Sequence, residues 1–151
     1  MSEHIKRSHN KSLLIYHLVC SAKYRKKVFS KIEGTDQEIK NVCLEIEQRY
    51  DIHFLEIGVD QDHVHFLIQS VPVFSPTNIA KMVKSITARE MFKRIPKIKT
   101  MLWGGEFWTK GYYISTVGQQ SNEIGVKNYI ENQDLQYKQI YLSQPTLFEG
   151  F

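Results

Sequence analysis

An α+β fold on the ferredoxin-like (RRM-like) plan, an antiparallel sheet with helices on one face, is what the order of elements in this sequence predicts. Three observations carry that expectation. An apolar run near the start suits a central strand, two later apolar runs flank a three-residue polar stretch, and two helical stretches alternate with these strands. The 151 residues set a prior of one domain, residues 1–151, and their 42% hydrophobic and 12% aromatic content is enough to fill a core.

Ser12 to Ser21 (SLLIYHLVCS) is the first strand, continuously apolar and rich enough in β-branched residues for the middle of a sheet. It runs into Lys23-Tyr24-Arg25-Lys26-Lys27, a basic cluster with one aromatic inside it. After Gly34, Thr35 to Tyr50 puts Ile39, Cys43, Ile46 and Tyr50 at helical spacing, with an acidic, solvent-facing opposite side. Asp51 to Val59 and His63 to Gln69 read as two strands of a hairpin joined by Asp60-Gln61-Asp62. Ser75-Pro76 opens the next helix, with serine as N-cap and proline at the first helical position. Its stripe is Ile79, Val83 and Ile86, and it fades before Pro96. Trp103 to Gly111 is a loop rich in glycine and aromatics, Tyr112 to Val117 a strand, and Gly118 to Gln120 a short flexible connection. Ser121 to about Ile140 forms a last helix added to the β-α-β-β-α-β plan, followed by a loose tail after Pro145.

Composition narrows the function classes. Twenty Lys plus Arg against sixteen Asp plus Glu gives a formal charge of +4, a modest excess that hints at an anionic partner. No stretch of 18 apolar residues exists, so a membrane helix is not expected. Met1 to Lys11 is unlike a signal peptide, and Cys20 and Cys43 lack CxxC spacing, which together predict reduced thiols in a cytoplasm. Neither GxSxG, HExxH, a P-loop nor a dinucleotide fingerprint is present, so no nucleotide cofactor is expected.

Three groups of residues carry possible chemistry. In Asp62-His63-Val64-His65-Phe66, strand alternation points His63 and His65 to one face while Val64, Phe66 and Ile68 pack under the helices. Two imidazoles about 7 Å apart along a strand can converge on one cation; the plain alternative is two half-exposed histidines on a sheet face. Tyr129 and Gln133 stand four apart on the last helix and share a face, although a tyrosine there can equally be packing. From Lys81 to Lys99 seven residues are basic and one, Glu90, is acidic. That run and the cluster at Lys23 to Lys27 fit either a solvated helix face or a nucleic-acid contact.

Together these residues resemble the single-tyrosine HUH transposases (TnpA-like) of bacterial and archaeal insertion sequences. The signatures are YHLVCSAKYRKKVF near the start, DHVHFLIQ in the middle, and LWGGEFWTKGYYISTVG before YIENQ. The resemblance implies that His63 and His65 are the HUH histidines, Tyr129 the nucleophile, and Gln133 the third metal ligand, with Gly118 in the joint that lets the tyrosine helix swing. Gly125, in the first turns of that helix, departs from good helix-forming sequence and costs up to roughly 1 kcal/mol relative to alanine.

The implied activity is cleavage and rejoining of single-stranded DNA at insertion-sequence ends through a 5′-phosphotyrosine, with Mg²⁺ or Mn²⁺. Subterminal hairpins would be the recognised structures and a homodimer the working unit. Lys23, Arg25, Lys26, Lys27, Lys81, Lys84, Arg89, Lys93 and Arg94 are then the candidate phosphate contacts, while Trp103, Phe107 and Trp108 either stack on bases or fill a core or dimer contact. Two other readings compete: a domesticated nuclease acting on repeat hairpins, and a noncatalytic module binding single-stranded nucleic acid on the same fold. Against the second, neither central strand carries an RNP1 pattern.

Overall fold

The computed structural model describes residues 4–6 and 11–118. A two-residue ladder, β1 (Ile5–Lys6) with β2 (Lys11–Ser12), precedes the central strand β3 (Leu14–Ser21). A 3-10 turn at Lys23–Arg25 and a single helical turn, α1 (Val28–Lys31), lead into α2 (Thr35–Arg49). Then come the hairpin β4 (His53–Val59) and β5 (His63–Ser70), the long helix α3 (Pro76–Arg94), a 3-10 segment at Pro96–Thr100, and β6 (Tyr113–Thr116).

The main sheet has the order β4-β5-β3-β6, every neighbouring pair antiparallel. This is the ferredoxin-like arrangement: the two strands that precede helices lie in the middle and the other two at the edges. The small β1–β2 ladder, the turn at Lys23–Arg25 and α1 are additions that periodicity did not signal, being too short to show a period. The expected helix from Ser121 lies outside the described residues, as do Gly125, Tyr129 and Gln133.

Alternation sorts the two faces of the sheet. Leu18 and Cys20 of β3, with Val64, Phe66 and Ile68 of β5, face the helices and are wholly buried against Ile39, Val42 and Ile46 of α2 and Ile79, Ala80 and Val83 of α3. Burying each large aliphatic or aromatic side chain contributes roughly 1.5–3 kcal/mol. Phe107 and Trp108 join this core, and the Trp108 indole N–H donates to Thr87 Oγ1 at 2.9 Å. Tyr50, assigned from its spacing to the stripe of α2, instead stands exposed just past the helix end.

The other face carries His17, His63 and His65 beside a small apolar group, Ile15 and Leu67 with Leu13, Leu55 and Val117. Strand β5 is buried along its whole length, so its histidines are not half-exposed surface residues.

Helix ends follow their sequence signals. Ser75 caps α3 by accepting from the Asn78 backbone N–H at 3.1 Å, while Asn78 Oδ1 accepts from the Ser75 N–H at 3.3 Å. Before α2, Gly34 takes φ of 86°, a left-handed conformation in which a side chain is strained. Cys20 and Cys43 are both buried and free. Among the described residues no helix is long and apolar enough to cross a membrane.

Candidate active site

The tight β4–β5 turn positions the first histidine. The Asp60 N–H donates to the His63 carbonyl at 2.9 Å, and Asp60 Oδ1 accepts from the Gln61 N–H at 2.7 Å. His63 and His65 follow at alternate positions of β5, each 2% exposed. Their ring centroids lie 5.0 Å apart, closer than the strand rise between their Cα atoms, so the two rings converge.

Each imidazole is held through Nδ1. His63 Nδ1 lies 2.8 Å from Asp62 Oδ1, and Asp62 Oδ2 accepts from Arg25 Nε at 3.1 Å. Arg25 Nη1 also reaches Ser21 Oγ at 3.4 Å. Burial alone would raise the Asp62 carboxyl, but the His63 hydrogen bond and the Arg25 charge outweigh it and hold the group below the usual carboxylate range. An ionised Asp62 accepts, so His63 Nδ1 donates to it.

His65 Nδ1 lies 2.8 Å from His17 Nε2, the two rings being almost coplanar. His17 sits on β3 opposite Leu67, one diagonal step from His65, and the Tyr113 ring meets it edge-on at 6.0 Å. Asp60 adds a second carboxylate, its Oδ2 3.8 Å from His63 Nε2.

His17, Asp60, Asp62 and Arg25 thus surround the two expected ligands. Sequence reasoning missed the first three as site residues and took Arg25 for a phosphate contact. Asp62, adjacent to His63 in the sequence, was the available signal. His17 had none beyond its place in a strand, because only the β3–β5 register brings it to His65.

The chain around Arg25 is unusual. Tyr24 and Arg25 both have positive φ, 57° and 56°. For residues with a Cβ this conformation costs roughly 1–2 kcal/mol each. Backbone hydrogen bonds from Ala22 to Asp62, Lys23 to Phe107 and Arg25 to Ala22, at 2.8–2.9 Å, hold the turn in place.

The other basic candidates scatter. Lys26, Lys27, Lys81, Arg89 and Lys93 are exposed. Lys23 Nζ pairs with Glu106 at 2.6 Å, and that hydrogen bond raises its pKa. Lys84 donates to the carbonyls of Thr109 and Gly111 at 2.9 and 2.7 Å, and burial holds its ammonium below the usual lysine range. With Lys81 and Lys110 it lines an open groove of about 760 Å³ between α3 and the loop before β6. Arg94 is ringed by Glu38, Glu45 and Glu90 at 2.7–3.1 Å, so its guanidinium is engaged within the protein.

Among the described residues no group of three or more His, Cys, Asp and Glu is disposed to hold a metal by itself. Gly118 is the last described residue, and a Cβ there would meet nothing within 4 Å, so space does not require the glycine.

A ferredoxin-like sheet carries two buried, converging imidazoles on the face away from α2 and α3, and comparison with known proteins specifies the class. The family model for IS200-like transposases matches residues 10–133, and the chain belongs to that family. The ISDra2 transposase TnpA of Deinococcus radiodurans is 32% identical over 120 residues, covering 80% of this chain and 84% of that protein. The transposase of insertion sequence element IS200 from Salmonella typhimurium is 27% identical over 120 residues, covering 78% and 75%.

A crystal structure of a candidate transposase from Deinococcus radiodurans superposes with a TM-score of 0.68 at 29% identity, covering 85% of this chain and 97% of that one. A REP-associated tyrosine transposase bound to a REP hairpin shares the fold, with a TM-score of 0.51 at 11% identity over 95% of this chain and 75% of that one. The protein is an IS200-family transposase.

Proposed function

We propose that this transposase cleaves and rejoins single-stranded DNA at the ends of its insertion sequence, with Tyr129 as nucleophile. The observation that carries the reading is the paired imidazole site. Both rings are buried and converge, and each Nδ1 is engaged, by Asp62 and by His17. If His65 is to offer Nε2, its Nδ1 donates to His17 Nε2, consistent with the 2.8 Å separation.

Two buried, converging imidazoles suit a divalent cation, which His63 and His65 would hold, with Gln133 as the third ligand that the family resemblance implies. Neutral imidazoles and an amide add no negative charge, and they favour Mn²⁺ over Mg²⁺, which prefers oxygen. When bound, such a cation supplies Lewis acidity that offsets the charge of a phosphodiester.

The remaining chemistry belongs to the chain. Tyr129 Oη loses its proton and attacks the scissile phosphorus; the Oη–P bond forms as the P–O3′ bond breaks, and the 3′ oxygen takes up a proton. One phosphodiester is exchanged for another, so the 5′-phosphotyrosine can be resolved by the 3′-OH of a second strand without ATP. Substrate hairpins near the element ends accord with a structural neighbour of the same fold, a REP-associated tyrosine transposase bound to a REP hairpin. A homodimer that joins two sheets and exchanges tyrosine helices completes the reading; a light-scattering mass of one chain would remove that part of it.

Metal-dependent cleavage of single-stranded DNA from the gene's own flanks tests the site. His63→Ala should stop cleavage while hairpin binding persists, with partial recovery at raised Mn²⁺. Normal cleavage by His63→Ala would contradict the metal assignment, and binding without cleavage by the wild type would favour a noncatalytic module.

A further inference from the structure

We infer that Tyr24 and Trp103 form an open stacking platform for an unpaired base of the DNA strand. The inference rests on the single-stranded substrate proposed above and adds where one of its bases sits. The two side chains are 61% and 74% exposed, far more than the aromatic residues of the core. Their rings face each other with centroids 6.1 Å apart and planes inclined by 28°. They come from segments almost eighty residues apart, so the pairing is made by the fold. An exposed tryptophan beside an exposed tyrosine leaves apolar ring faces in water, an arrangement that a flat, hydrophobic ligand relieves.

Three further features select a nucleobase as that ligand. First, cations lie along the chain at the platform: Lys23 Nζ, paired with Glu106, is 5.3 Å from the Tyr24 centroid, and exposed Lys26 and Lys27 come two and three residues after Tyr24. Lys99 is exposed four residues before Trp103. Cations around stacked rings suit a base with its phosphates. Second, Tyr24 is presented by a strained turn, with φ of 57°, that backbone hydrogen bonds fix to the β4–β5 turn and to Phe107. Strain retained in an exposed residue points to a role for its direction. Third, the next residue, Arg25, holds Asp62, which holds His63. A base on Tyr24 would therefore lie on the strand close to the phosphate handled at the histidines.

The test needs no cleavage and no cognate sequence. A short poly(dT) strand and the same backbone carrying abasic sites are titrated, without metal, against the full chain and three variants. Trp103→Ala removes one ring; Tyr24→Gly removes the other with a residue that suits positive φ; Tyr24→Phe keeps the ring. The wild type and Tyr24→Phe should prefer poly(dT) over the abasic strand by about five- to hundredfold, as expected for stacking of one base. Trp103→Ala and Tyr24→Gly should each lose most of that preference, with thermal melting to verify their folding. Equal affinity of the wild type for both strands, or a preference unchanged in either ring-deleted variant, overturns the platform. Covalent chemistry at Tyr129 is read separately, by adduct formation, so either proposal can fail while the other stands.

Discussion

Asp62 and His17 do for the two histidines what the histidines cannot do for themselves: they fix ring orientation through Nδ1. Asp62→Asn keeps the shape but loses the charge that holds the His63 proton and pairs with Arg25. Adduct formation titrated with Mn²⁺ should then show a 10- to 100-fold higher metal requirement, roughly the loss seen for outer-shell partners; an unchanged titration would make Asp62 incidental. That His63 and His65 share one sheet face was legible in the sequence because strand alternation needs only local spacing. Their supports were not. His17 is 48 residues from His65 and Arg25 is 37 from Asp62, and only the register of β3 against β5 and the strained turn after β3 bring them together.

At the level of elements, the capping of α3 and the network around Arg94 carry separable contributions. Ser75→Ala removes the capping box and should cost about 1 kcal/mol, seen as a lower melting temperature. Arg94 ties α3 to α2 through Glu38 and Glu45. The hydrogen bond from Arg94 holds the Glu45 carboxyl below its ordinary value. That contribution is therefore present above the unfolded-state carboxylate pKa of about 4.3 and lost as pH falls through the lower folded value. The stability gap between wild type and Arg94→Leu should be widest near neutrality and close in acid; a gap independent of pH would show that packing, not charge, is at stake.

The major strands and helices from Ser12 to Val117 were legible because each is long enough to show its period and is bounded by a turn or a cap, as Ser75-Pro76 illustrates. The β1–β2 ladder, α1 and the left-handed residues Tyr24 and Arg25 have no period to show.

Across the whole molecule, one sheet serves two purposes. The face under α2 and α3 supplies the core, and the other face carries the buried histidines. Cys20 lies deep in that core, where burial pushes its thiol up to about 12 despite the opposing charge of Lys84. Alkylation of Cys20 at mildly alkaline pH should be negligible in the native protein and rapid in denaturant, so its rate reports opening of the core. Fast native labelling would contradict this packing.

The proposed exchange of a phosphodiester by Tyr129, aided by the paired histidines, is read on a denaturing gel. Wild type and Tyr129→Phe are incubated with labelled single-stranded DNA from the flanks of the gene, with Mn²⁺ and with chelator. A metal-dependent protein–DNA adduct in the wild type, lost in Tyr129→Phe while DNA binding survives, is the predicted result. An adduct that persists in Tyr129→Phe, or none from a wild type that binds the same DNA tightly, would contradict it.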